Sequence, residues 1–350
     1  MTGLFLSLPI WGNLFFFTLA AVAVWVAGTS LSVYADEVSD RKRIGKAFTG
    51  FVFLAAATSL PELVTTIAGS LAGEALLVLN NVFGGITMQT AILAVADAAV
   101  PVATLTFYPR KPTPVLEAAI LVVLLAVLLA VGVVGERELF LNVGIGAVFF
   151  ALAYFGSISL LRSYEEASAW RPVDLPDEES GPFPAIRSEK ISKRSTKGLV
   201  WLSIAMASVI LIAGVALISL AEALAVQSGL GPSFIGVTLL AAVTSLPEVS
   251  TTIAAVRMGS FTMAISNIFG SNLIMLMLLL PADVFYRQGL ILEKMDETAT
   301  FALVSGIVVT GIYIIGLLLR HKKRFFGMGI DSVLVLAIYL ASLGVFYFLR

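Results

Sequence analysis

A six-residue segment that carries a proline and a glutamate occurs twice in this 350-residue chain. The copies cover 58–63 and 244–249, and both read Thr-Ser-Leu-Pro-Glu before an apolar residue. We call the interval from Glu62 to Glu248 the repeat spacing. Apolar residues precede each copy, over 51–57 and 235–243. A proline and an ionisable carboxyl group are both costly within a bilayer, and such groups are typical of transport pathways. Two copies in two halves therefore predict a duplicated protein whose polar site is assembled from both.

The chemistry of the two copies indicates a hard cation. Pro61 and Pro247 lack a backbone N–H, so each helix is expected to break just before its glutamate and to leave carbonyl oxygens unbonded. The side chains that would supply oxygen atoms are Glu62, Glu248, Thr58, Ser59, Thr244 and Ser245. Ca²⁺ and Na⁺ prefer such an all-oxygen shell. The alternative for the two glutamates is a protonated pair that only joins helices.

The residues do not favour a soft-metal site or a hydrolase. The chain has no cysteine, which excludes disulfides and thiolate ligands, and its only histidine, His321, lies in the basic segment 320–324. A zinc or copper site is therefore not expected. A hydrolase within the membrane would need a histidine or lysine base in the same spans as Ser59 or Ser245, and those spans contain neither. The chain is predicted not to be an enzyme and to carry no covalent cofactor.

The composition is that of a membrane protein. Hydrophobic residues make up 59% of the chain and charged residues 13%, and the mean hydropathy is +0.99, whereas about 25% of residues are charged in a soluble globular protein. The first eleven residues carry no positive charge, so we expect a lead-in to the first helix and no cleaved signal peptide. The lipid bilayer is a predicted partner, nucleic acid is not, and the oligomeric state stays open.

Hydropathy predicts about ten membrane-spanning helices, five on each side of a polar segment. The spans are expected near 11–35, 47–70, 75–98, 114–134 and 139–162, and near 198–224, 233–256, 261–285, 299–319 and 329–349. The polar segment contains four prolines and mixed charges, which is typical of an aqueous linker. We therefore divide the chain into a first five-helix repeat (1–163), a linker (164–197) that tethers the halves or also binds ions, and a second five-helix repeat (198–350).

The lysines and arginines determine the predicted orientation. With the N-terminus outside, 18 of the 22 basic residues fall on the inner side, as the positive-inside rule requires. Both termini are then outside and the linker is cytoplasmic, in what we expect to be the plasma (inner) membrane. Because five spans is an odd number, the two halves must cross the membrane in opposite directions. The predicted fold class is an all-α integral membrane protein of about ten transmembrane helices in two inverted five-helix repeats.

Further pairs of residues share the repeat spacing: Asn81 with Asn267, Asp97 with Asp283, and Asp36 with Glu222. The two asparagines begin Asn-x-x-Gly elements, which are expected either to unwind the third and eighth spans beside the site or only to pack against the Pro-Glu helices. Glu74 and Glu117 fall near span ends, where we expect solvated or interfacial carboxylates. Asp331 is expected in the first turn of the last helix.

These residues resemble the signature of the cation/Ca²⁺ exchanger superfamily, specifically its sodium/calcium exchanger branch. The resemblance rests on two Ser-Leu-Pro-Glu segments, each followed by a glycine element, which reads Gly-Ser-Asn over 270–272. It covers nearly the whole chain. It implies a core of spans 2, 3, 7 and 8, across which two long, tilted helices, spans 1 and 6, slide. It also implies alternating access, with Ca²⁺ and Na⁺ competing for overlapping sites.

The resemblance further implies which residues bind the cation. By kind, they are the glutamates Glu62 and Glu248, the hydroxyls of Ser59, Ser245 and Ser271, and the backbone carbonyls of Thr58, Thr244, Ala55 and Ala241. Gln89 stands where the family usually has Asn or Asp, and keeps an amide oxygen on a longer side chain.

Two positions depart from the family's pattern. Gly85 replaces the serine of the first half, which removes one hydroxyl, and Met275 offers only a thioether, a poor partner for a hard cation. One or more Na⁺ sites are therefore expected to be missing or altered, while Ca²⁺ binding through two glutamates is less affected. Asp97 and Asp283 are expected either to supply replacement carboxylates or to contact water and loops at the span ends.

Together these features predict a secondary active cation antiporter of the Na⁺/Ca²⁺ exchanger type, which transports Ca²⁺ against Na⁺ or H⁺. An H⁺-coupled Ca²⁺ or cation exchanger is one alternative, because fewer Na⁺ ligands would leave the glutamates free to exchange protons. A transport-deficient homologue that binds a cation as a sensor or assembly subunit is another. The identity and stoichiometry of the transported ions stay open.

Overall fold

A computed structural model describes residues 5–43, 45–100, 102–140, 142–166, 191, 193–228 and 241–349. This part of the chain is almost entirely helical, with one two-stranded antiparallel hairpin. Within it, eight helices are long and apolar enough to cross a membrane, or nine when a pair bent by 45° counts as one span. The predicted all-α membrane fold is therefore confirmed. The start of the seventh predicted span, 233–240, lies outside the described residues.

The helices of the first half follow the predicted spans closely. They are α1 (Ile10–Lys42), α2 (Lys46–Thr58), α3 (Leu60–Ala72), α4 (Ala75–Ala98), α5 (Thr113–Val134) and α6 (Ile145–Glu166). Strands β1 (Glu138–Phe140) and β2 (Val143–Gly144) precede α6.

The second half repeats this order. Its helices are α7 (Thr196–Ser228), α8 (Ala241–Thr244), α9 (Leu246–Arg257), α10 (Phe261–Met277), α11 (Leu279–Phe285), α12 (Glu297–Leu319) and α13 (Ile330–Leu349). Helices α10 and α11 together form one span.

Both Pro-Glu copies interrupt their helices, as predicted. Ser59 separates α2 from α3, Ser245 separates α8 from α9, and a proline stands in the first turn of each new helix. Proline suits that position because its missing N–H would have no helical partner there. The α2–α3 pair bends by 45° at the break. Glu62 and Glu248 consequently lie in the first turns of α3 and α9.

The two Asn-x-x-Gly elements do not unwind their helices. Helix α4 continues through 81–85 and α10 through 267–271, so the unwinding alternative is wrong. The glycines permit close packing instead, because a Cβ atom at Gly270 would collide with the carbonyl oxygen of Phe51, and one at Gly50 with that of Met263. Helix α2 is π-helical over Thr49–Leu54, where it packs on α10. A glycine inside a helix weakens it by only about 1 kcal/mol, which tight packing can offset.

The buried centre of the fold consists of α4 and the α10–α11 span. Within the apolar 18-residue stretch of each of these two spans, 83% and 89% of the residues are buried, against 22% in the corresponding stretches of α1 and α13. Phe269 of α10 packs edge-on against Tyr313 of α12, with ring centroids 5.8 Å apart. The third and eighth spans are thus central and the first and last face outward, in agreement with the implied core.

Helices α1 and α7 are the two long helices that the resemblance implies. Each has 33 residues, or about 50 Å at 1.5 Å per residue, which is long enough to cross a hydrocarbon core at a tilt. They pack against each other. A Cβ atom at Gly28 of α1 would collide with the Ser250 hydroxyl and lie 3.5 Å from the Pro247 carbonyl oxygen; one at Gly214 of α7 would lie 2.7 Å from Pro61 Cγ. These two glycines, which also share the repeat spacing, thus bring each long helix against the proline of the opposite half.

The fifth helix begins later than hydropathy predicts. Residues 138–144 contain the β1–β2 hairpin, and α6 begins at Ile145. Gly135 and Asn142 have φ angles of 91° and 61°, which a right-handed helix does not permit. The Glu136 carboxylate accepts the Gly146 N–H at 2.9 Å, close to the start of α6. The predicted start at residue 139 is wrong because apolar residues 139 and 140 belong to the hairpin.

Glu117 corrects another expectation. Its side chain is fully buried in α5, so the prediction of a solvated or interfacial carboxylate is wrong. Thr113, Pro114 and Ala118, which lie in the same first turns of α5, are buried as well. Glu74 is exposed, as predicted, and Asp331 lies in the first turn of α13, as predicted.

Candidate functional site

Glu62 and Glu248 come together from opposite halves at the two helix breaks. Both side chains are fully buried, and their carboxylates are close enough for their charges to interact. Each lies in the first turn of its helix, where the positive end of the helix dipole favours a carboxylate. Two carboxylates that would repel each other are thus held together in the interior of the protein.

All the residues predicted for the site are buried, the least buried being Ser59 with 2% of its surface exposed. They are Ala55, Thr58, Ser59, Glu62, Gln89, Ala241, Thr244, Ser245, Glu248 and Ser271. These positions belong to α2, α3, α4, α8, α9, α10 and the two breaks, so both halves contribute.

The two carboxylates have different surroundings. Ser271 Oγ donates a hydrogen bond to Glu248 Oε1 at 3.2 Å. The hydroxyls of Thr58 and Ser59 also lie near the Glu248 carboxylate, although the Thr58 hydroxyl bonds to backbone carbonyls and the Ser59 hydroxyl is beyond hydrogen-bond geometry. Neither carboxylate oxygen of Glu62 has a hydrogen-bond partner among the residues that the structure describes.

In the described structure, other buried polar atoms of the predicted site residues also lack a hydrogen-bond partner. Within the described ranges, the hydroxyls of Ser59 and Ser245 and both polar atoms of the Gln89 amide make no hydrogen bond. A buried polar group without a partner costs about 1–3 kcal/mol. Oxygen atoms that lack donors are the groups that a bound hard cation would satisfy.

The alanine carbonyls predicted as ligands already accept hydrogen bonds. Ala55 O accepts the Ser59 N–H at 2.9 Å and Ala241 O accepts the Ser245 N–H at 3.0 Å. The hydroxyls of the threonines at 58 and 244 also donate to these carbonyls. Because a carbonyl oxygen has two lone pairs, each could bind a cation only if the threonine hydroxyl turned away.

The prolines leave a second pair of carbonyls that sequence reasoning missed. Since Pro61 and Pro247 have no N–H, the carbonyls of Ala57 and Val243, four residues earlier, cannot receive the helical hydrogen bond. The position of each proline alone is enough to identify these carbonyls.

A polar network next to Glu248 was also missed. Asn267 Nδ2 donates to Thr251 Oγ1 at 3.0 Å and to Thr252 Oγ1 at 3.3 Å. The first half has the same residue types at 65, 66 and 81, all buried. The signal was present in the sequence, because both Pro-Glu copies continue into Thr-Thr-Ile-Ala, over 65–68 and 251–254.

Asp97 and Asp283 bind loops. Each of their four carboxylate oxygens accepts one backbone N–H at 2.5 to 2.7 Å; the donors are Leu105 and Gly329 for Asp97, and Ile291 and Gly144 for Asp283. Residues 105 and 291 also share the repeat spacing, so the arrangement is repeated in both halves. The loop-contact alternative is the one that the structure supports, because these oxygens are already used by backbone donors.

Asp36, the other acidic residue of the repeat spacing, lies at the end of α1. Its carboxylate accepts hydrogen bonds from Lys46 Nζ at 2.7 Å and from the Ser260 hydroxyl, and Lys46 also contacts Asp40 at 2.6 Å. It therefore joins α1 to the start of α2 and to the residue before α10. The side chain of Glu222 lies outside the described residues.

The donor set at the breaks fits a transported hard cation. In the part of the chain that the structure describes, no group of three His, Cys, Asp or Glu side chains could hold a metal ion. The site instead offers two carboxylates with hydroxyl, amide and carbonyl oxygens, which suit Ca²⁺ or Na⁺.

Comparison of the chain with known proteins gives matches over both halves. The sequence profile of the family described as sodium/calcium exchanger protein matches residues 12–161 and 198–348. Inner membrane protein YrbG of Escherichia coli (strain K12) is 25% identical over 279 residues, which are 77% of this chain and 81% of YrbG.

Solved structures of the sodium-calcium exchanger NCX_Mj have the same fold. The structure soaked with 100 mM Na⁺ and 10 mM Sr²⁺ gives a TM-score of 0.71 at 15% identity, covering 96% of this chain and 99% of that chain. The structure soaked with 2.5 mM Na⁺ and 10 mM Sr²⁺ gives 0.70 at 16% identity over the same shares. Because the family profile matches most of both halves, the chain belongs to the sodium/calcium exchanger protein family.

Proposed function

We propose that this protein is a secondary active cation antiporter that exchanges Ca²⁺ for Na⁺ by alternating access. The observation that carries the proposal is the pair of buried carboxylates, Glu62 and Glu248, which meet from opposite halves at two helix breaks. A divalent cation nearly neutralises two carboxylates, which lowers the cost of holding the ion in a low-dielectric interior. The same carboxylates without a cation would repel each other.

In this proposal the two glutamates bridge the ion and neutral oxygens complete its shell. The neutral ligands are the hydroxyls of Ser59, Ser245 and Ser271, the amide oxygen of Gln89, and the carbonyls of Thr58, Thr244, Ala55 and Ala241. Ca²⁺ takes about six to eight oxygen ligands, so a subset of this group is sufficient. The unpartnered hydroxyls of Ser59 and Ser245, noted above for the described residues, support their role.

The proposal extends to the arrangement in the membrane. Two inverted five-helix repeats, over 1–163 and 198–350, are joined by a cytoplasmic linker over 164–197, and both termini are outside. The positive-inside distribution, with 18 of 22 basic residues on the inner side, supports this orientation. The description of YrbG as an inner membrane protein supports the plasma (inner) membrane as the location. Alternating access would then require α1 and α7 to slide across the breaks that Gly28 and Gly214 touch.

The test is Ca²⁺ uptake into proteoliposomes under separate ion gradients. We expect ⁴⁵Ca²⁺ uptake when an outward Na⁺ gradient is imposed at equal pH on the two sides. Glu62→Gln and Glu248→Gln should each reduce uptake to background, because the amide keeps the volume of the side chain and removes its charge.

Glu74→Gln is the matched control, since Glu74 is an exposed glutamate of the same half, and it should transport at the wild-type rate. Wild-type uptake by either site variant, at matched reconstitution, would exclude a site built on the two glutamates.

H⁺-coupled exchange is the second candidate. The observation that favours it is that Glu62 lacks a hydrogen-bond donor within the described ranges. The residues at positions 85 and 275, where the resemblance implies ligands, also carry no hard ligand. Uptake driven by a pH gradient alone, with Na⁺ absent, would select this candidate. Ca²⁺ binding without any flux would instead indicate the sensor or assembly subunit.

A further inference from the structure

Lys46 attaches the last turns of α1 to the core of the fold. Its Nζ atom lies 2.7 Å from Asp36 Oδ1, 2.6 Å from Asp40 Oδ1 and 3.1 Å from the backbone oxygen of Asp36. An ammonium group has three N–H donors, so these three acceptors on α1 match its full capacity. The Ser260 hydroxyl also donates to Asp36 Oδ1. Asp36, Asp40, Lys46 and Ser260 are here called the α1 latch.

The two sides of the latch belong to different parts of the molecule. Asp36 and Asp40 lie on α1, whereas Lys46 begins α2 and Ser260 directly precedes α10. Helices α2 and α10 pack on each other beside the proposed site. The latch therefore bonds a long outer helix to two helices of the core.

A different set of contacts joins α1 to α7, the other long helix. At one end, Arg41 donates to the backbone oxygens of Arg194, at 2.5 Å, and of Ile191, at 3.3 Å, just before α7 begins. At the opposite end, Asn13 Nδ2 lies 3.3 Å from Gln227 Oε1. The long helices are thus bonded to each other at both ends, and they can move as a unit without losing these contacts.

The lysine and the second acid of the latch occur in the first half alone. At the repeat spacing, Lys46 corresponds to Pro232 and Asp40 to Val226, and neither of these residues can form an ion pair. The duplicated halves therefore differ in this contact, although they share most of their polar landmarks.

We propose that the α1 latch is a conformational lock that opens each time α1 slides across the core. The inference rests on the proposed function, in which the long helices move relative to the helix breaks. An ion pair is lost once its atoms separate by more than about 4 Å, so the contacts of Lys46 break when α1 slides, while those between α1 and α7 persist. Lys46 consequently stabilises the arrangement of α1 described here over the alternative one.

Cross-linking tests whether the latch opens during transport. The chain has no cysteine of its own, so Asp36→Cys combined with Ser260→Cys places the only two thiols at a contact of the latch. A short bifunctional methanethiosulfonate links the thiols, mass spectrometry of the intact protein measures the link, and a reductant removes it. The linked protein should lose ⁴⁵Ca²⁺ uptake into proteoliposomes under an outward Na⁺ gradient, and reduction should restore it. Each single variant treated with the reagent should keep its uptake.

A second cross-link is the matched control. Asn13→Cys combined with Gln227→Cys joins α1 to α7, where the structure already has a contact. Because these helices move together in the proposal, this linked protein should keep most of its uptake. Equal uptake by the two linked proteins, whether high or absent, would overturn the latch, as would failure of the thiols at positions 36 and 260 to link.

The second test measures opening of the latch without transport. Ser260 is half-buried, and the thiol in Ser260→Cys should react with a maleimide faster when α1 leaves the core more often. Adding Lys46→Gln should raise the reaction rate about fivefold, as expected for the loss of a partly buried ion pair. Lys42→Gln removes the same charge from an exposed position at the end of α1 and should leave the rate unchanged. Equal rates in the two backgrounds would overturn the latch.

The two tests separate this inference from the function on which it rests. If the wild type transports Ca²⁺ and the protein linked between positions 36 and 260 transports equally well, the proposed function stands and the latch is overturned. If the wild type itself shows no uptake, the proposed function is overturned, and the labelling comparison alone decides whether Lys46 holds α1 on the core.

Discussion

The side chains around Glu248 form a more complete hydrogen-bonded environment than those around Glu62. Ser271 orients one oxygen of Glu248, and the hydroxyls of Thr58 and Ser59 approach from the other half. A carboxylate held in this way loses little conformational entropy when a cation binds. Single substitutions near the two glutamates should therefore have different effects.

Ser271→Ala should lower Ca²⁺ affinity about tenfold, because it removes one proposed oxygen ligand and the hydroxyl that holds the Glu248 carboxylate in place. The measurement is ⁴⁵Ca²⁺ binding to purified protein. Ser342→Ala is the control, since Ser342 is also buried but bonds within the peripheral helix α13. Equal affinities for the two variants would exclude Ser271 from the binding site.

At this scale the repeated segment made the candidate residues predictable, because identical residue types at one spacing must occupy equivalent places in two similar halves. The burial of all ten site positions agrees with that reasoning. The close approach of Met275 to Gly85, at which an added Cβ atom would lie 3.0 Å from Met275 Cε, was not predictable, since it depends on how α4 and α10 approach each other. Glu117 was misjudged because its burial depends on how α5 packs against neighbouring helices, which hydropathy cannot detect.

The elements meet at glycines where two backbones come into contact. At the crossing of α2 and α10, a Cβ atom on Gly50 or Gly270 would collide with a backbone carbonyl oxygen of the other helix. Backbone atoms cannot turn aside as a long side chain can. The π-helical turn of α2 lies at this crossing, and such turns often occur at functional sites.

Gly270→Ala should therefore prevent correct packing of α2 on α10 and sharply lower the heat resistance of the protein. The measurement is size-exclusion chromatography after heating, with the fraction of monodisperse protein as the readout. Gly311→Ala is a matched control in α12, because no atom of the described residues outside its own stretch of helix backbone lies within 4 Å of the added Cβ. That control should be neutral or stabilising by up to about 1 kcal/mol. Equal heat resistance of both variants would contradict the tight crossing.

Asp97→Asn and Asp283→Asn should lower stability without changing Ca²⁺ affinity. Each asparagine keeps one acceptor oxygen and replaces the other with a donor that faces a backbone N–H, which costs about 1–3 kcal/mol. Apparent melting temperature and ⁴⁵Ca²⁺ binding by the remaining folded protein provide the two readouts. A loss of affinity at unchanged stability would favour the ligand role over loop binding.

The helix breaks were predictable because proline acts locally, whereas the β1–β2 hairpin was not. Hydropathy averages over many residues, and the apolar residues 139 and 140 extended the predicted fifth span into the hairpin. The positive φ angles at Gly135 and Asn142 that end the helical path leave only a weak trace in the sequence.

The molecule as a whole combines two halves whose described helices follow the predicted spans in order. This level was the most predictable, since apolar segments of spanning length and a constant repeat spacing can both be read from the sequence. The orientation in the membrane is a separate prediction that rests on charge alone.

That orientation can be tested by labelling, because the chain has no cysteine of its own. Glu74 and Lys323 are both exposed, and the positive-inside rule predicts that their loops lie on opposite sides of the membrane. Glu74→Cys should therefore react with a membrane-impermeant maleimide in intact cells, and Lys323→Cys only after lysis. A reporter inserted after Lys190 should be cytoplasmic, and reporters at both termini external. Termini on opposite faces would exclude inverted repeats with five spans each.

The loop-binding aspartates also have a consequence for the order of synthesis. The first donor to Asp97, the Leu105 N–H, is synthesised only eight residues later. The second donor, Gly329, is 232 residues away and directly precedes the last helix. At about 5–20 residues per second, the ribosome needs roughly 10–50 s to supply it. Until Gly329 is synthesised, one carboxylate oxygen of Asp97, at the end of α4, lacks its native hydrogen-bond donor. The hydrogen bonds of the first half are consequently completed only when the segment before the last helix has been made. A chain truncated before Gly329 would keep an unpaired Asp97 oxygen, and we expect proteases to degrade it more readily.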